Sequence, residues 1–197
     1  VAEENKPQLM QGGSLWNEQL QTEGFYYQWM SLYNRIQQKG ISEVYEEAAY
    51  TWFNRFCALR FMDVNRFTRI GVVSPAEGQF QPEILAEAKM GHIDEETVPA
   101  KAHQKIAELL AGKTPSRDPQ GEAYRLLIVA TCNAWNQSMP FLFERIDDYT
   151  ELLMPDDLLS GNSILAYTRE AMTPDACEDV EVIGWLYQFY ISEKKDA

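Results

Sequence analysis

Apolar side chains recur at helical steps over the first part of the chain. Trp16 and Leu20 are followed by Trp29 and further apolar positions at spacings of three and four residues, which predicts an amphipathic helix. Gly40, preceded by a lysine in the last turn, is typical of a helix C-terminus. We therefore predict that a helix ends at Gly40 and that a flexible lead-in occupies residues 1–14.

The next segment, residues 42–67, is the most apolar of the chain. Ser42 is a favourable N-cap, and acidic residues follow in the first turn. Apolar side chains such as Trp52, Phe56 and Leu59 then fall on nearly every face of the predicted helix. This distribution indicates a central helix that is buried on all sides.

The remaining pattern is also helical, and strand-like alternation is weak throughout. We predict further helices over residues 82–90, 95–110 with Asp94 as N-cap, 122–137, 138–146, 164–172 and 173–191. Prolines and glycine at 113–121 indicate a surface loop. The predicted fold class is all-α, with seven to nine helices in a single domain over residues 15–197 and at most a small β-hairpin near 68–80.

Composition narrows the classes of function. The formal net charge is −13 and the pI is about 4.6, so the chain as a whole is a poor general binder of nucleic acid, which needs clustered Lys and Arg. Three widely spaced cysteines form no CxxC pair, which argues against a zinc ribbon and favours free thiols in a reducing cytoplasm. No apolar run reaches the roughly 18 residues of a membrane helix.

Several catalytic signatures are absent from the sequence. The nine prolines include no Pro-Pro dipeptide, and no two glycines are spaced as GxG, so neither an Asn-Pro-Pro-aromatic motif nor a glycine-rich cofactor loop is present. His92 and His103 are eleven residues apart, a poor spacing for a metal site, and are interpreted as ordinary surface histidines. We expect no catalytic, cofactor-binding or metal-binding residue in this chain.

Four arginines run against the acidic composition. Arg55 and Arg60 lie within the apolar helix, where we expect them to be buried and paired with internal carboxylates. Arg66 and Arg69 lie at the end of that helix and are candidates for contacting DNA phosphates, although cations near a helix C-terminus also favour the helix dipole. The dense acidic pairs offer a second candidate surface for docking a basic partner, formed by Asp147, Asp148, Asp156 and Asp157.

Three long segments resemble one family. They are AYTWFNRFCALRFMDVN at 49–65, MPFLFERIDD continuing to ELLMPDDLL at 139–159, and EVIGWLYQFYISEKKD at 181–196. Their order and spacing resemble the N-terminal region of PglX-type adenine-specific DNA methyltransferases of BREX phage-defence systems. Residues 1–44 and the region 68–121 match only loosely.

The resemblance implies a large cytoplasmic enzyme that transfers a methyl group from S-adenosylmethionine to N6 of adenine in double-stranded DNA. The family's cofactor loop and catalytic motif are expected beyond residue 197, so the chain is expected to be a helical accessory domain that supports the catalytic domain and the DNA cleft. The expected partners are the C-terminal methyltransferase domain, DNA and other defence proteins, but no membrane. The alternative is an acidic interaction module that docks other defence components.

Overall fold

A three-stranded antiparallel sheet precedes the helices in the computed structural model, which describes residues 5–140, 142–146, 148–179, 181 and 184. The strands, in sheet order, are β1 (Gln8–Met10), β2 (Gly13–Trp16) and β3 (Gln19–Gln21). Six α-helices follow within the described residues: α1 (Glu23–Lys39), α2 (Ile41–Val64), α3 (Glu83–Lys89), α4 (Ala100–Leu110), α5 (Pro119–Trp135) and α6 (Ile164–Ala171). The protein is therefore largely helical, as predicted, but its three-stranded sheet exceeds the small β-hairpin that the all-α prediction allowed.

The sheet corrects the helical interpretation of the residues around Trp16 and Leu20. Leu15 pairs with Leu20 across β2 and β3, and the two residues between these strands, Asn17 and Glu18, have φ values of 47° and 63°. Two consecutive positive φ angles fit the tight turns that join twisted antiparallel strands. Near 68–80, where the sequence allowed at most a small hairpin, the described residues form no strand and only an isolated bridge between Pro75 and Pro82.

The chain forms two compact units, the first comprising residues 1–52 and 146–154. In this unit the sheet packs on α1, which Thr22 caps by accepting a hydrogen bond from the backbone N–H of Phe25 at 3.2 Å. The predicted end of α1 at Gly40 is confirmed, and its φ of 88° favours glycine. Lys39 and Arg35 on α1 both form salt bridges with Glu47 on α2, so the helical hairpin carries a charged contact beside its turn.

The second unit comprises residues 53–145 and 155–197. Its core is built on the second half of α2, where Phe56 and Leu59 are fully buried, confirming the predicted central helix. Helix α5 packs against α3 and α4, and the buried Tyr124 hydroxyl donates a hydrogen bond to the carbonyl of Val72 at 2.9 Å. Burial of that hydroxyl raises the pKa of Tyr124.

Helix boundaries differ from the sequence pattern where a polar side chain stabilises a turn instead. Asp94, the predicted N-cap, accepts from the backbone of Glu96 and the hydroxyl of Thr97, and α4 begins only at Ala100. The described part of 138–146 contains no helix. Most of the predicted last helix, 173–191, lies outside the described residues, and the single domain over 15–197 stays a prediction.

Candidate nucleic-acid interface

Helix α2 ends in a left-handed turn at Arg66, whose φ is 60°. The backbone N–H of Arg66 donates to the carbonyl of Asp63 at 3.1 Å, and that of Phe67 donates to the carbonyl of Met62 at 2.8 Å. This pair of hydrogen bonds is the Schellman arrangement, in which glycine is the usual residue at the left-handed position. The left-handed backbone conformation is unfavourable for arginine, which has a Cβ atom. The side chain of Arg66 is exposed beyond the end of the helix.

The carboxylate of Asp63 organises the segment that follows. One oxygen accepts from the hydroxyl of Thr68 at 2.8 Å and from the N–H of Val72 at 3.0 Å. The other accepts from the N–H groups of Val73 and Ser74, both at 2.9 Å. Four donors converge on one anion, so the backbone from 68 to 74 is fixed on the last turn of α2 without regular secondary structure.

Gly71 allows this segment to fold tightly. A Cβ atom at Gly71 would lie 2.4 Å from the carbonyl oxygen of Ser74, too close for any other residue without a backbone shift. The N–H of Gly71 also donates to the carboxylate of Glu83 at 2.6 Å, and its carbonyl accepts from the N–H of Ile84 at 2.9 Å. We call residues 65–71 the arginine loop; both of its ends are held by these contacts.

The two candidate arginines, Arg66 and Arg69, both lie on the arginine loop. Both Arg66 and Arg69 are exposed, and within the described part of the chain neither guanidinium has a carboxylate within 4.0 Å. Phe67 lies between them with 61% of its surface exposed, and its ring centroid is 6.3 Å from that of Phe61. The loop therefore presents two unpaired cations and an aromatic ring.

A cavity of about 360 Å³ adjoins the arginine loop. Its walls include apolar side chains from several segments, among them Ile70, Ile84, Leu127 and Trp135. Polar groups also line it, namely Arg69, His92, Asp94, Glu96, Thr97 and Ser138. Sequence reasoning missed this cavity because its lining residues are scattered from 67 to 138.

The two arginines within α2, Arg55 and Arg60, have structural roles. Arg55 is 2% exposed and donates to the carbonyl of Glu144 at 2.8 Å, which confirms its predicted burial. Arg60 donates to the carbonyl of Met172 at 3.0 Å and to the hydroxyl of Ser74 at 2.7 Å. The internal carboxylate expected for Arg60 is replaced by these neutral oxygen acceptors, and burial lowers the pKa of Arg60.

The four acidic candidates have different surroundings. Asp148, in the first unit, accepts from the backbone and hydroxyl of Thr150. In the second unit, Asp156 pairs with Arg125 at 3.1 Å while its side chain stays fully exposed, and the hydroxyl of Ser160 hydrogen-bonds to Asp157 and lowers its pKa. Asp147 lies outside the described residues, and partner docking by these side chains stays a prediction.

The described residues hold no group of three or more His, Cys, Asp or Glu side chains arranged for a metal ion. His92 is exposed and contacts the carboxylate of Glu87 through Nδ1 at 2.8 Å. Within the same part of the chain, no helix has both the length and the apolar character needed to cross a bilayer.

Asp63 is a functional residue that the sequence alone did not identify as a candidate. A carboxylate in the last turn of a helix interacts unfavourably with the helix dipole. The position of Asp63 therefore indicates that nearby hydrogen-bond donors compensate its charge. That signal identifies the residue but not its partners, because Val72, Val73 and Ser74 contribute backbone groups that the sequence does not distinguish.

The chain is homologous to a segment of adenine-specific methyltransferases, and this confirms the family resemblance found in its sequence. It is 41% identical over 169 residues to adenine-specific methyltransferase BrxX of Escherichia coli O9:H4 (strain HS). It is 36% identical over 162 residues to adenine-specific methyltransferase PglX of Lacticaseibacillus casei (strain Zhang). These alignments cover 84% and 80% of this chain but only 13% of each relative. No protein-family model matches the chain.

Proposed function

We propose that this chain is a helical accessory part of an S-adenosylmethionine-dependent adenine-N6 DNA methyltransferase of a phage-defence system. In this proposal Arg66 and Arg69 contact the DNA backbone, and another part of the protein transfers the methyl group. The observation that carries it is the pair of exposed guanidiniums, without a carboxylate partner among the described residues, on a loop that Asp63 holds in place.

Two arginines suit this role although the chain is acidic. A guanidinium is always charged and can hold a phosphate with two parallel hydrogen bonds. Because the arginine loop is ordered by Asp63 and Gly71, little backbone entropy is lost when DNA binds. The net charge of −13 restricts favourable contact to such local patches, which supports a narrow footprint, with most of the affinity supplied by the remainder of the protein.

The described residues do not fit S-adenosylmethionine. Doubly wound folds hold nucleotide cofactors at the carboxyl ends of parallel strands, above a glycine-rich turn. Here the sheet of the described residues is a three-stranded antiparallel meander, and the sequence has no GxG spacing. We propose that the cofactor site and the catalytic residues lie in another part of the methyltransferase. We also propose that the protein acts in the cytoplasm.

Charge reversal tests the DNA contact in the full-length methyltransferase. We expect Arg66→Glu combined with Arg69→Glu to lower the affinity for DNA similarly across sequences, because phosphate contacts do not read bases. A plot of log affinity against log salt should also lose about two units of slope, about 0.9 per phosphate contact. Fluorescence anisotropy with labelled duplexes at several salt concentrations measures both quantities.

Arg117→Glu is the matched control, since Arg117 is also exposed and lies in the second unit away from the arginine loop. Each single reversal at Arg66 or Arg69 should exceed the effect of this control. Equal affinity and equal salt slope in the double variant, the control and the unmodified protein would remove DNA contact from the proposal.

A further inference from the structure

The cavity beside the arginine loop combines apolar walls, polar groups and access from solvent. Its volume of about 360 Å³ lies near the lower end of the roughly 300–1,000 Å³ typical of small-molecule sites. Exposed groups such as Arg69 and Glu96 line it, so a ligand can reach it from solvent. Leu127, Thr131 and Ala134 supply one wall from successive turns of α5.

Several polar atoms at this cavity retain hydrogen-bonding capacity. Arg69, the indole N–H of Trp135 and the hydroxyl of Ser138 are donors without a partner among the described residues, and the carboxylate of Glu96 is an acceptor without one. Thr68 and Thr131 are already engaged with Asp63 and with the carbonyl of Leu127. The free groups therefore offer both donors and acceptors around apolar walls.

This combination discriminates between classes of ligand. A phosphate would be repelled inside the cavity by the carboxylates of Asp94 and Glu96. A purely apolar side chain would bury the Glu96 carboxylate without a hydrogen bond, whereas Asp94 is already engaged with Glu96 and Thr97. A neutral ring with donors and acceptors on its edge, such as adenine or cytosine, satisfies both requirements. Arg66 and Arg69 lie on the adjoining loop, where they can hold the phosphates that flank such a ring.

We propose that this cavity receives one unpaired nucleobase of DNA while Arg66 and Arg69 hold the adjacent backbone. The inference rests on the proposed DNA contact and adds a base site to it. Trp135 and Phe67 supply aromatic surface for stacking, and Glu96 accepts a hydrogen bond from an exocyclic amine. The site is separate from the one that the methyl transfer needs, because no donor-binding residue is proposed in this chain.

Cavity-filling variants of the full-length methyltransferase test the base site. The probes are a fluorescein-labelled duplex with one bulged adenine, the same duplex with an abasic bulge, and the fully paired duplex. The unmodified protein is expected to prefer the adenine bulge over the abasic bulge by at least about fivefold, the lower end of stacking on aromatic side chains. Ala134→Phe should reduce this ratio by at least about threefold, while affinity for the paired duplex stays unchanged.

A second filling variant and a matched control distinguish loss of the base site from misfolding of a single variant. Ile93→Trp fills the cavity from a different segment and should reduce the ratio in the same way. Ala111→Phe introduces the same ring at an exposed position outside the cavity and should leave the ratio unchanged. A base site elsewhere in the full-length protein contributes equally to all variants, so only the difference between variants is assigned to this cavity.

The outcomes separate the two proposals. If both filling variants keep the unmodified ratio while the arginine reversals weaken all duplexes, the base site is wrong and the DNA contact stands. If the filling variants instead weaken every duplex equally and lower the melting temperature, the cavity holds a side chain of the remaining protein, and the base site is again wrong. Loss of the preference on addition of micromolar deoxyadenosine would assign the cavity to a free nucleoside rather than to DNA.

Discussion

At the scale of single residues, Asp63 is the side chain that orders the backbone of the candidate interface. Its carboxylate accepts four hydrogen bonds, three of them from consecutive backbone N–H groups. Hydrogen bonds to a charged group contribute about 1.5–3 kcal/mol when they are well formed. Arg66 and Arg69 reach solvent in a defined arrangement because this anion fixes the backbone behind them.

Replacement of Asp63 by asparagine tests this role. The introduced side chain would place an amide NH₂ against N–H donors, so we expect Asp63→Asn to lower the free energy of unfolding by about 2–4 kcal/mol. Asp175→Asn is the matched control, since Asp175 is exposed and its carboxylate has no hydrogen bond within the described residues. Urea denaturation followed by circular dichroism measures both, and equal midpoints would contradict the assigned role.

The residue scale also separates what the sequence can predict from what it cannot. Arg66 and Arg69 could be predicted as exposed cations because they follow the last apolar turn of a helix. Arg60 was predicted as buried and is half-buried. Its acceptors, the carbonyl of Met172 and the hydroxyl of Ser74, come from distant segments. A cation within an apolar helix must have oxygen acceptors nearby. The sequence predicts this need, but it does not show which oxygen atoms the fold brings within hydrogen-bonding distance.

At the scale of elements, helices bounded by glycine or proline could be predicted from the sequence, whereas the sheet could not. Gly40 ends α1, and Pro82 precedes α3, two positions where the residue type itself marks a helix boundary. The strands at 8–21 are short, and their turn at Asn17 and Glu18 lacks the Asn-Gly signal of such hairpins. Their apolar residues fall by chance at helical spacings, so periodicity favoured the wrong element.

The hairpin of α1 and α2 gives a prediction about pH. Hydrogen bonding from Lys39 lowers the pKa of Glu47, so the ionised form of Glu47 is favoured in the folded state. This stabilisation is present above the unfolded pKa of about 4.3 and is lost as the pH falls through the lower folded pKa. We therefore expect Glu47→Gln to lower stability at pH 7 by about 1 kcal/mol. The difference from the unmodified chain should shrink as the pH falls below the unfolded pKa of about 4.3 and vanish once the pH is below the lowered folded pKa of Glu47.

Thermal denaturation of both proteins between pH 3 and pH 8 measures this difference. Glu46→Gln is the matched control, because Glu46 is exposed on the neighbouring position of α2 and has no salt bridge in the described part of the chain. A difference between Glu47→Gln and the unmodified chain that is constant with pH would mean that packing, rather than charge, explains the effect of Glu47.

At the scale of the whole molecule, comparison with relatives identifies the family of the chain but not the role of this segment. The chain has 197 residues and aligns with 13% of each relative, so both relatives are much longer than the chain. Family membership was predictable because long strings of residues recur in order. The function of this segment was not, since its candidate interface depends on Asp63, on Gly71 and on a cavity that draws side chains from several helices and loops.

The proposal that another part of the protein binds the methyl donor can be tested by a direct measurement. An adenine methyltransferase needs a site for the methyl donor, and the described residues offer neither a parallel sheet nor a glycine-rich turn for it. Isothermal calorimetry of the 197-residue chain with S-adenosylmethionine should therefore give no saturable heat, whereas the full-length methyltransferase should bind it stoichiometrically. The isolated chain should equally transfer no labelled methyl group to DNA. Saturable one-to-one binding by the chain alone would show that a donor site can form here without either feature, and the accessory role would have to be abandoned.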